Sequence, residues 1–363
     1  MEEVSKTENR KNILFLISSI GGGGAERVGC RLVSEFSKRH KVYLMYFDEK
    51  EKEYPVDPKV TKIPFIVGKK SKNDIDQSGK KVNPKTLRMN EIEKLRRIYN
   101  IDITISFLRW PNFYNVNAGG GTKKILSERS DPDGKGEEYF QSMISACEKG
   151  DIVVFQTEYI KNKYPENIRK KGIIIPNPIN VSCFSEPSCI AKKIVSVGRL
   201  VEQKNHILLI KAFSIFLKTH NDYHLHIYGD GNLLDELKLV AKQNNVEESV
   251  HFEGFHEDVH EKIKDAEQFI LSSDYEGMPN ALMEAMMMGL PCISTNCSGV
   301  SEIISNEVDG LLVPKGDVDS LAKAMCRISD DKSIQQKLRQ AASIKAQNWN
   351  TEIIGKRWEE LFL

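Results

Sequence analysis

Two cationic side chains follow a predicted strand in the second half of the chain. Arg199 and Lys204 stand just after the apolar run Lys193–Val197, and Gly198 separates the run from the first cation. Ligands of parallel sheets bind beyond the carboxyl ends of the strands, and a glycine lets the backbone approach them closely. A hydrogen bond from such a cation to a phosphate oxygen contributes about 1.5–3 kcal/mol. This pattern predicts a phosphate site.

A second feature is a predicted helix start within Glu276–Glu284. Pro279 suits the first helical position, and Gly277 frees the turn before it. The amides that would point out of this helix end belong to Met278, Asn280 and Ala281. A helix N-terminus binds anions, although its dipole alone contributes only about 0.3–1 kcal/mol. We therefore expect the cations to set the binding strength and the helix end to fix the orientation of the phosphate.

Glycine-containing turns follow three other predicted strands. Tyr228-Gly229-Asp-Gly231 and Phe252-Glu-Gly254-Phe255 lie in the second half, and the cluster Gly21–Gly24 lies in the first. A nucleotide can lie against backbone where a glycine leaves no side chain in the way. Taken singly, each charged residue near these turns could be an ordinary surface group. Their succession at strand ends favours a site for a nucleotide diphosphate.

The elements that must position these residues alternate between strand and helix. In the second half, strands are predicted at 193–197, 225–228, 250–252, 269–271, 291–295 and 311–313, with helices between them at 206–218, 233–243, 258–266, 280–288 and 320–329. In the first half, strands at 13–17, 42–47, 103–107, 124–126 and 152–156 accompany helices at 25–38 and 86–99, while residues 48–84 look like a loop. Such alternation is typical of an α/β protein with parallel, doubly wound sheets.

The chain is long enough for two domains. We expect a disordered tail over residues 1–11, a Rossmann-like domain over 12–178 and a second one over 179–345. Residues 346–363 are expected to form a C-terminal helix that packs back on the first domain. The boundary is placed in Ile173-Ile-Ile-Pro-Asn-Pro-Ile179, where a short strand meets two prolines that prevent a continued helix.

Composition limits the kind of partner. The net charge of +1 over 363 residues does not suit a protein that binds nucleic acid through its overall charge. Residues 61–110 nevertheless carry a local net charge of +7. This segment is either a solvated basic surface or a patch that contacts anionic lipid or a phosphorylated acceptor. The seven scattered cysteines, the polar start and the lack of a long apolar run predict a cytoplasmic protein whose membrane contact is peripheral.

The motifs taken together resemble glycosyltransferase family 4. The similar stretches are VGRLVEQKN, YGDGNLLDEL, FEGF, DYEGMPNALMEAMMMGLP, SGVSEII and DGLLVPKGD in the second half, and GGGGAER and IPNPI in the first. The resemblance implies a GT-B fold, in which two Rossmann-like domains face a cleft. The first domain, 12–178, would bind the acceptor, and the second, 179–345, would bind the nucleotide-sugar. It also implies retaining glycosyl transfer without a metal or other cofactor.

The resemblance also assigns roles to matching positions. Arg199 and Lys204 would hold the pyrophosphate and stabilise the charge that grows on the leaving nucleotide diphosphate. Glu276 would bind hydroxyls of the donor sugar, and Glu284 would bind the ribose. The residues expected to line the donor site are Gly23, Gly24, Gly198, Tyr228, Gly229, Gly254, Phe255, Met278, Pro279, Asn280, Ala281 and Glu284.

One position departs from the family pattern. Many members carry a histidine after a strand of the first domain, whereas Arg129 stands there in Leu126-Ser-Glu-Arg-Ser. The stretch is similar to that of a branch of polysaccharide-assembly transferases. Arg129 is expected to bind a donor hydroxyl or an acceptor phosphate, since a guanidinium cannot act as a base near neutral pH.

The function expected is transfer of a hexose or N-acetylhexosamine from a nucleotide-diphosphate sugar, with UDP as the nucleotide, to a glycan or lipid-linked saccharide. A nucleotide-sugar epimerase of the same fold and a non-catalytic sugar-nucleotide-binding subunit stay open as alternatives. His256-Glu-Asp-Val-His260 fits a zinc-protease pattern, but no third ligand is apparent. The glycine cluster lacks the third glycine of a dinucleotide-binding fingerprint.

Overall fold

A computed structural model describes residues 10–67, 83–181 and 191–363, and the chain forms two compact units. The first unit runs to Pro178 and also includes Thr351–Leu363, and the second is Ile179–Asn350. Most of the predicted tail, and the middle of the basic segment 61–110, lie outside the described residues. The same applies to Cys183 and Cys189.

The first unit contains a parallel sheet whose described strands follow the order β3-β2-β1-β4-β5-β6-β7. Their bounds are β1 Asn12–Ser19, β2 Lys41–Asp48, β3 Thr61–Pro64, β4 Ile103–Phe107, β5 Lys123–Ser127, β6 Ile152–Phe155 and β7 Gly172–Ile174. The central strands are nearly continuous runs of buried apolar side chains, as expected when helices cover both faces of a sheet.

The helices of the first unit cover its sheet. They are α1 Gly24–Phe36, α2 Pro84–Ile98, α3 Arg109–Asn117, α4 Glu137–Lys149, α5 Glu158–Asn162 and α6 Glu166–Arg169, with the chain end adding a helix, α13 Thr351–Glu359. Trp358 of α13 is fully buried in the same apolar cluster as Phe107 and Phe36. Arg357 donates a hydrogen bond to the carbonyl of Ile174. The last residues are thus part of the first core.

The second unit contains another parallel sheet, with described strands in the order β10-β9-β8-β11-β12-β13. The strands are β8 Ala191–Val197, β9 His224–Tyr228, β10 Val250–Gly254, β11 Ala266–Leu271, β12 Cys292–Thr295 and β13 Leu311–Val313. The helices are α7 His206–Phe216, α8 Leu234–Gln243, α9 Val259–Ile263, α10 Asn280–Met287, α11 Val318–Asp330 and α12 Lys332–Ala346. Two apolar clusters pack on this sheet.

Both strand orders reverse direction at one point. In the first sheet β1 lies between β2 and β4, and in the second sheet β8 lies between β9 and β11. The connections on either side of such a central strand run to opposite faces, which leaves a crevice beyond the carboxyl ends of the strands. The loops after β1 and β4, and those after β8 and β11, are therefore the places where each sheet can bind a ligand.

The structure corrects several predicted elements. Residues 48–84 were expected to be a loop, but they contain β3, whose short, partly exposed sequence has little periodicity. Helix α3 was not predicted, because its buried face includes Pro111 and asparagines, which interrupt the apolar periodicity of a helix. Helix α4 was also missed, and the helix expected over 258–266 ends at Ile263. Within the described ranges, no helix combines the length and apolar character that a bilayer span requires.

Candidate functional site

The loops after β8 and β11 are joined by hydrogen bonds at the reversal point of the second sheet. Gln203 accepts from the amide of Asp274 at 3.0 Å, and its side chain donates to the carbonyl of Tyr275 at 2.9 Å. Asn205, in the left-handed region with φ 44°, caps α7 by accepting from the amide of Leu208. Its amide group also donates to Asp274 at 3.0 Å. The two loops therefore form one connected structure.

Lys204 and Glu276 form an ion pair across this junction. Their Nζ and Oε1 atoms are 2.5 Å apart, and the side chains are only 15 % and 7 % exposed. Ser273 donates to the same carboxylate oxygen at 2.7 Å, and Ser272 donates to the carbonyl of Lys204 at 2.8 Å. An ammonium group has three N–H donors, so Lys204 retains two for a further acceptor. The pair was not foreseen from the sequence, which gave the two residues separate roles.

Glycines bring two strand ends into close contact. Gly229 has φ 137°, and a side chain there would collide with the carbonyl of Gly198. Gly229 also donates its amide hydrogen to the carbonyl of Gly254 at 2.7 Å. A methyl group on Gly198 would approach Cε of Lys204 to 3.3 Å. The stem of Lys204 therefore passes over Gly198, so these predicted site residues lie together.

Helix α10 begins at Asn280, the start predicted from the sequence, but Pro279 has a different role from the one expected. Pro279 is the N-cap, with φ −75° and ψ 102°, and Asn280 is the first helical residue. Pro279 therefore does not occupy the first helical position. As an N-cap, proline offers no side-chain oxygen to the helix amides, and its carbonyl accepts from Met283. Met278 and Ala281 are partly buried against the apolar core.

Glu284 is buried on α10 and interacts with a histidine. Its Oε2 lies 3.2 Å from Nε2 of His260 on α9. His256 precedes α9, so the two histidines of the zinc-protease pattern do not share a helical face. In the part of the chain that the structure describes, no three His, Cys, Asp or Glu side chains are grouped as metal ligands. A buried carboxylate that already accepts from an imidazole is well oriented for a further donor.

The remaining predicted donor residues differ in exposure. Arg199 is exposed, and within the described residues no carboxylate lies at ion-pair distance from it. Tyr228 is buried at the end of β9, whereas Phe255 is exposed after β10. His206, at the start of α7, is buried, and burial lowers its pKa to about 4. This imidazole therefore stays neutral and adds no positive charge beside Lys204.

The glycine cluster of the first unit lies at the start of α1. Gly23 is the N-cap with an extended backbone, and Gly22 has φ 93°. The space beside Gly23 holds the carboxylate of Glu26, which a side chain at Gly23 would strike. The sequence predicted that Gly23 and Gly24 leave room for phosphate. That role stays a prediction: the carboxylate beside Gly23 is the end of the flexible Glu26 side chain, which would have to turn aside for a phosphate to enter.

Arg129 is buried rather than open to solvent. Its guanidinium carbon lies 4.3 Å from the centre of the Phe107 ring and 5.6 Å from that of Trp358. Nη1 donates to Asn177 at 2.8 Å, while Nε and Nη2 have no hydrogen-bond partner among the described residues. Burial lowers the pKa of Arg129 to about 9. The side chain joins β4, β5 and α13 through cation–π contacts.

Glu128 is a further buried polar residue, which the sequence-based prediction passed over. Its carboxylate accepts from the hydroxyl of Tyr164 at 2.8 Å, from that of Tyr139 at 3.3 Å and from the amides of Arg129 and Ser130. Burial raises the pKa of Glu128, and these hydrogen bonds oppose that shift. The sequence did contain a signal for a functional role of Glu128, namely its position directly after the end of β5. Glu128 holds the loop that carries Arg129.

Part of the basic segment 61–110 is not available to a partner. Arg96 is buried, donates to the carbonyls of Ala118 and Gly119 at 2.9 Å, and has its pKa lowered to about 10 by burial. Lys94 and Arg97 form ion pairs with acidic neighbours on α2. Among the described basic residues of this segment, Arg96 therefore serves the fold rather than a surface.

Comparison with known proteins agrees with this architecture. Residues 190–349 match the family model "Glycosyl transferases group 1". An N-acetylgalactosaminyltransferase of Campylobacter jejuni, named for transfer to N-acetylgalactosamine-N,N'-diacetylbacillosaminyl-diphospho-undecaprenol, is 29 % identical over 357 residues, covering 92 % of this chain and 94 % of that protein. An Escherichia coli protein named UDP-Gal:alpha-D-GlcNAc-diphosphoundecaprenol alpha-1,3-galactosyltransferase is 36 % identical over 175 residues, covering 44 % of this chain and 45 % of its own length.

A solved structure extends the comparison to the whole fold. Anabaena HepE in complex with UDP superposes with a TM-score of 0.82 at 17 % identity, covering 96 % of this chain and 99 % of that one. Two parallel-sheet α/β units of this kind define the GT-B fold. The chain is a glycosyltransferase with the GT-B fold, and the residues that match the group 1 model lie in the second unit.

Proposed function

We propose that this chain is a retaining glycosyltransferase of family 4 that uses a UDP-sugar. It transfers a hexose or N-acetylhexosamine to a saccharide linked to a lipid diphosphate. The observation that carries the proposal is the junction of Lys204 and Glu276 at the reversal point of the second sheet, where ligands of such sheets bind. Relatives named for transfer to undecaprenyl-diphosphate saccharides support the acceptor class.

The junction suits a departing diphosphate. Arg199 and the two remaining N–H groups of Lys204 would bind its oxygens and stabilise the charge that develops as the glycosidic bond breaks. The start of α10 would add the favourable field of a helix N-terminus, at about 0.3–1 kcal/mol. The acceptor hydroxyl loses its proton to the leaving phosphate, so no separate protein base is needed.

The other carboxylate oxygen of Glu276 suits the sugar. Oε1 is taken by Lys204 and Ser273, and no described residue donates to Oε2. Oε2 can accept from a donor hydroxyl, while the ion pair with Lys204 fixes the direction of the carboxylate. Glu284, Tyr228, Gly254 and Phe255 would line the nucleotide side of the site.

The same proposal covers cofactor and location. The donor is a substrate, and the reaction needs no metal or cofactor. Since the acceptor is anchored in lipid, the enzyme would work on the cytoplasmic face of the membrane and contact it peripherally.

Nucleotide release tests the proposal. The purified chain is assayed with a panel of nucleotide-sugars, with and without a short-chain lipid-diphosphate saccharide. We expect acceptor-dependent release of UDP and a product whose anomeric proton coupling matches that of the donor. Arg199→Ala combined with Lys204→Ala should lower kcat/KM by about 10²-fold or more.

Lys238→Ala, an exposed lysine on α8, is the matched control and should keep wild-type activity. Donor conversion without acceptor would support an epimerase instead. Donor binding without turnover, or full activity in the double variant, would contradict the proposed reaction or its site.

A further inference from the structure

An exposed tryptophan lies at the reversal point of the first sheet. Strand β4, next to β1 in that sheet, ends at Phe107, and α3 begins two residues later at Arg109. Leu108 between them has φ 72° and ψ 171°, a conformation that a leucine rarely adopts. Residues in such sparsely populated backbone regions cluster at functional sites. Leu108 directly precedes Arg109 and Trp110, the first two residues of α3.

Trp110 differs in exposure from the other two tryptophans. It is 40 % exposed, whereas Trp349 and Trp358 are buried. Its ring contacts Phe113 and Tyr114, with centroid distances of 6.0 and 6.4 Å. A large aromatic ring held by its neighbours and partly open to solvent is a rigid contact surface that loses little entropy on binding.

Cations surround this ring. Lys85 at the start of α2 has its Nζ 4.4 Å from the ring centre, and the guanidinium carbon of Arg109 is at 5.0 Å. Within the described chain, no carboxylate lies at ion-pair distance from Lys85. Arg109 pairs with Glu138 at 2.7 Å, but that carboxylate is 91 % exposed and can be exchanged for another anion. The surface is therefore aromatic and positively charged at once.

We propose that Trp110, Lys85 and Arg109 form a binding surface for a saccharide that carries a phosphate next to the sugar ring. The C–H groups of the pyranose ring would lie on the negative face of the indole, and the phosphate would replace Glu138 beside the two cations. This inference rests on the proposed function, since the lipid-diphosphate saccharide acceptor has this chemistry. Trp110 lies outside the sequence motifs that predict the donor site.

The charge and the position of the surface favour this ligand over a bare lipid surface. The ligand end of a doubly wound sheet is at the reversal of its strand order, and Trp110 is in the first turn of the helix that starts there. One aromatic side chain with two adjacent cations matches one sugar ring with one diphosphate. Membrane contact through the same residues is the competing outcome of the test.

Binding to the full chain is measured with N-acetylglucosamine linked to farnesyl diphosphate as the probe. Because Trp110 is the exposed tryptophan, we expect saturating probe to change the intrinsic fluorescence. Calorimetry should show that Trp110→Ala weakens the Kd by about tenfold or more, equivalent to about 1.4 kcal/mol. Lys85→Gln, an exposed and structurally mild change, should weaken it severalfold and reduce its salt dependence.

Lys94→Gln and Ile98→Ala, both exposed on α2, are the matched controls and should keep the wild-type Kd. Free farnesyl diphosphate and free N-acetylglucosamine should each bind far more weakly than the linked probe. The inference would be overturned if farnesyl diphosphate bound as tightly as the linked probe, or if Trp110→Ala and Lys85→Gln both kept the wild-type Kd. It would also be overturned if the only defect of these two variants were weaker binding to phosphatidylglycerol vesicles.

UDP affinity is measured in the same variants and should not change. If the wild type binds the probe through Trp110 but transfers no sugar, the proposed function fails while this binding surface stands. If transfer occurs and the probe binds independently of Trp110 and Lys85, the proposed function stands and this binding surface fails.

Discussion

At the scale of single residues, the site depends on contacts between positions far apart in the chain. Lys204 and Glu276 are 72 residues apart, yet they form a nearly buried ion pair. Gly229 meets the backbone of Gly198 because neither carries a side chain. Each motif in the sequence supplies one partner of a contact, and the parallel sheet brings the two partners together.

Glu276→Gln tests the ion pair. The amide keeps the shape of the carboxylate but leaves the charge of Lys204 without its partner. We expect UDP to bind at least as tightly as to the wild type, while kcat falls by about 10-fold or more because the sugar contact loses its charge. Calorimetry with UDP and initial-rate kinetics measure the two effects separately. A clear loss of UDP affinity would contradict the arrangement.

Gly229→Ala tests the backbone contact. A methyl group at φ 137° would be strained and would strike the carbonyl of Gly198, so we expect the unfolding midpoint to fall, at a cost of about 1–3 kcal/mol. Gly121→Ala is the matched control, because nothing lies within 4 Å of the added methyl group. Denaturant unfolding compares the two. Equal stability in both variants would show that the contact at Gly229 is not tight.

At the scale of elements, the chain end completes the first core. Helix α13 contributes Trp358, which packs beside Phe107 and under the guanidinium of Arg129. Arg129 is thus tied to the element that closes this core. This explains its burial better than a role as an exposed ligand residue, and any contact it makes with substrate would have to come through the unpartnered Nε and Nη2 edge.

Trp358→Ala tests the role of α13. Removing a fully buried indole should lower the unfolding free energy by about 3–5 kcal/mol. Ile353→Ala changes an exposed side chain on the same helix and should stay within about 0.5 kcal/mol of the wild type. Chemical denaturation followed by circular dichroism gives both values. A small effect of Trp358→Ala would mean that α13 does not stabilise the unit.

The sequence predicted the regular elements best where apolar periodicity was strong. Strands such as β4 and β13 have the predicted bounds, and the alternation indicated two parallel sheets correctly. It failed at β3, whose residues are mostly exposed, and at α3, whose buried face includes asparagines that hydrogen-bond within the core. Burial of Arg129 and occupation of the space beside Gly23 by Glu26 were also missed. Both depend on tertiary contacts that local patterns do not encode.

At the scale of the whole molecule, stability depends on pH through buried groups. His206 has its pKa lowered from 6.5 to about 4 because it is buried. Between pH 6.5 and 4, His206 therefore binds a proton in the unfolded chain but not in the folded chain. The contribution of His206 to the unfolding free energy is therefore complete above pH 6.5. It is lost as the pH falls towards 4, by at most about 1.4 kcal/mol per pH unit.

His206→Asn tests this dependence. The variant removes the titrating ring. The slope of its unfolding free energy against pH, between pH 6.5 and 4.5, should therefore be shallower than that of the wild type by up to about 1.4 kcal/mol per pH unit, which corresponds to one proton. Urea unfolding at several pH values gives both slopes. Parallel slopes would show that His206 is protonated in the folded chain.

The central claim is that a nucleotide diphosphate binds where β8 and β11 end. Calorimetric titration of UDP into the wild type, Lys204→Ala and the control Lys238→Ala tests it directly. Losing charged hydrogen bonds of about 1.5–3 kcal/mol should weaken the Kd of Lys204→Ala by about 10- to 100-fold, with the control unchanged. A Kd for Lys204→Ala equal to that of the wild type would contradict the account.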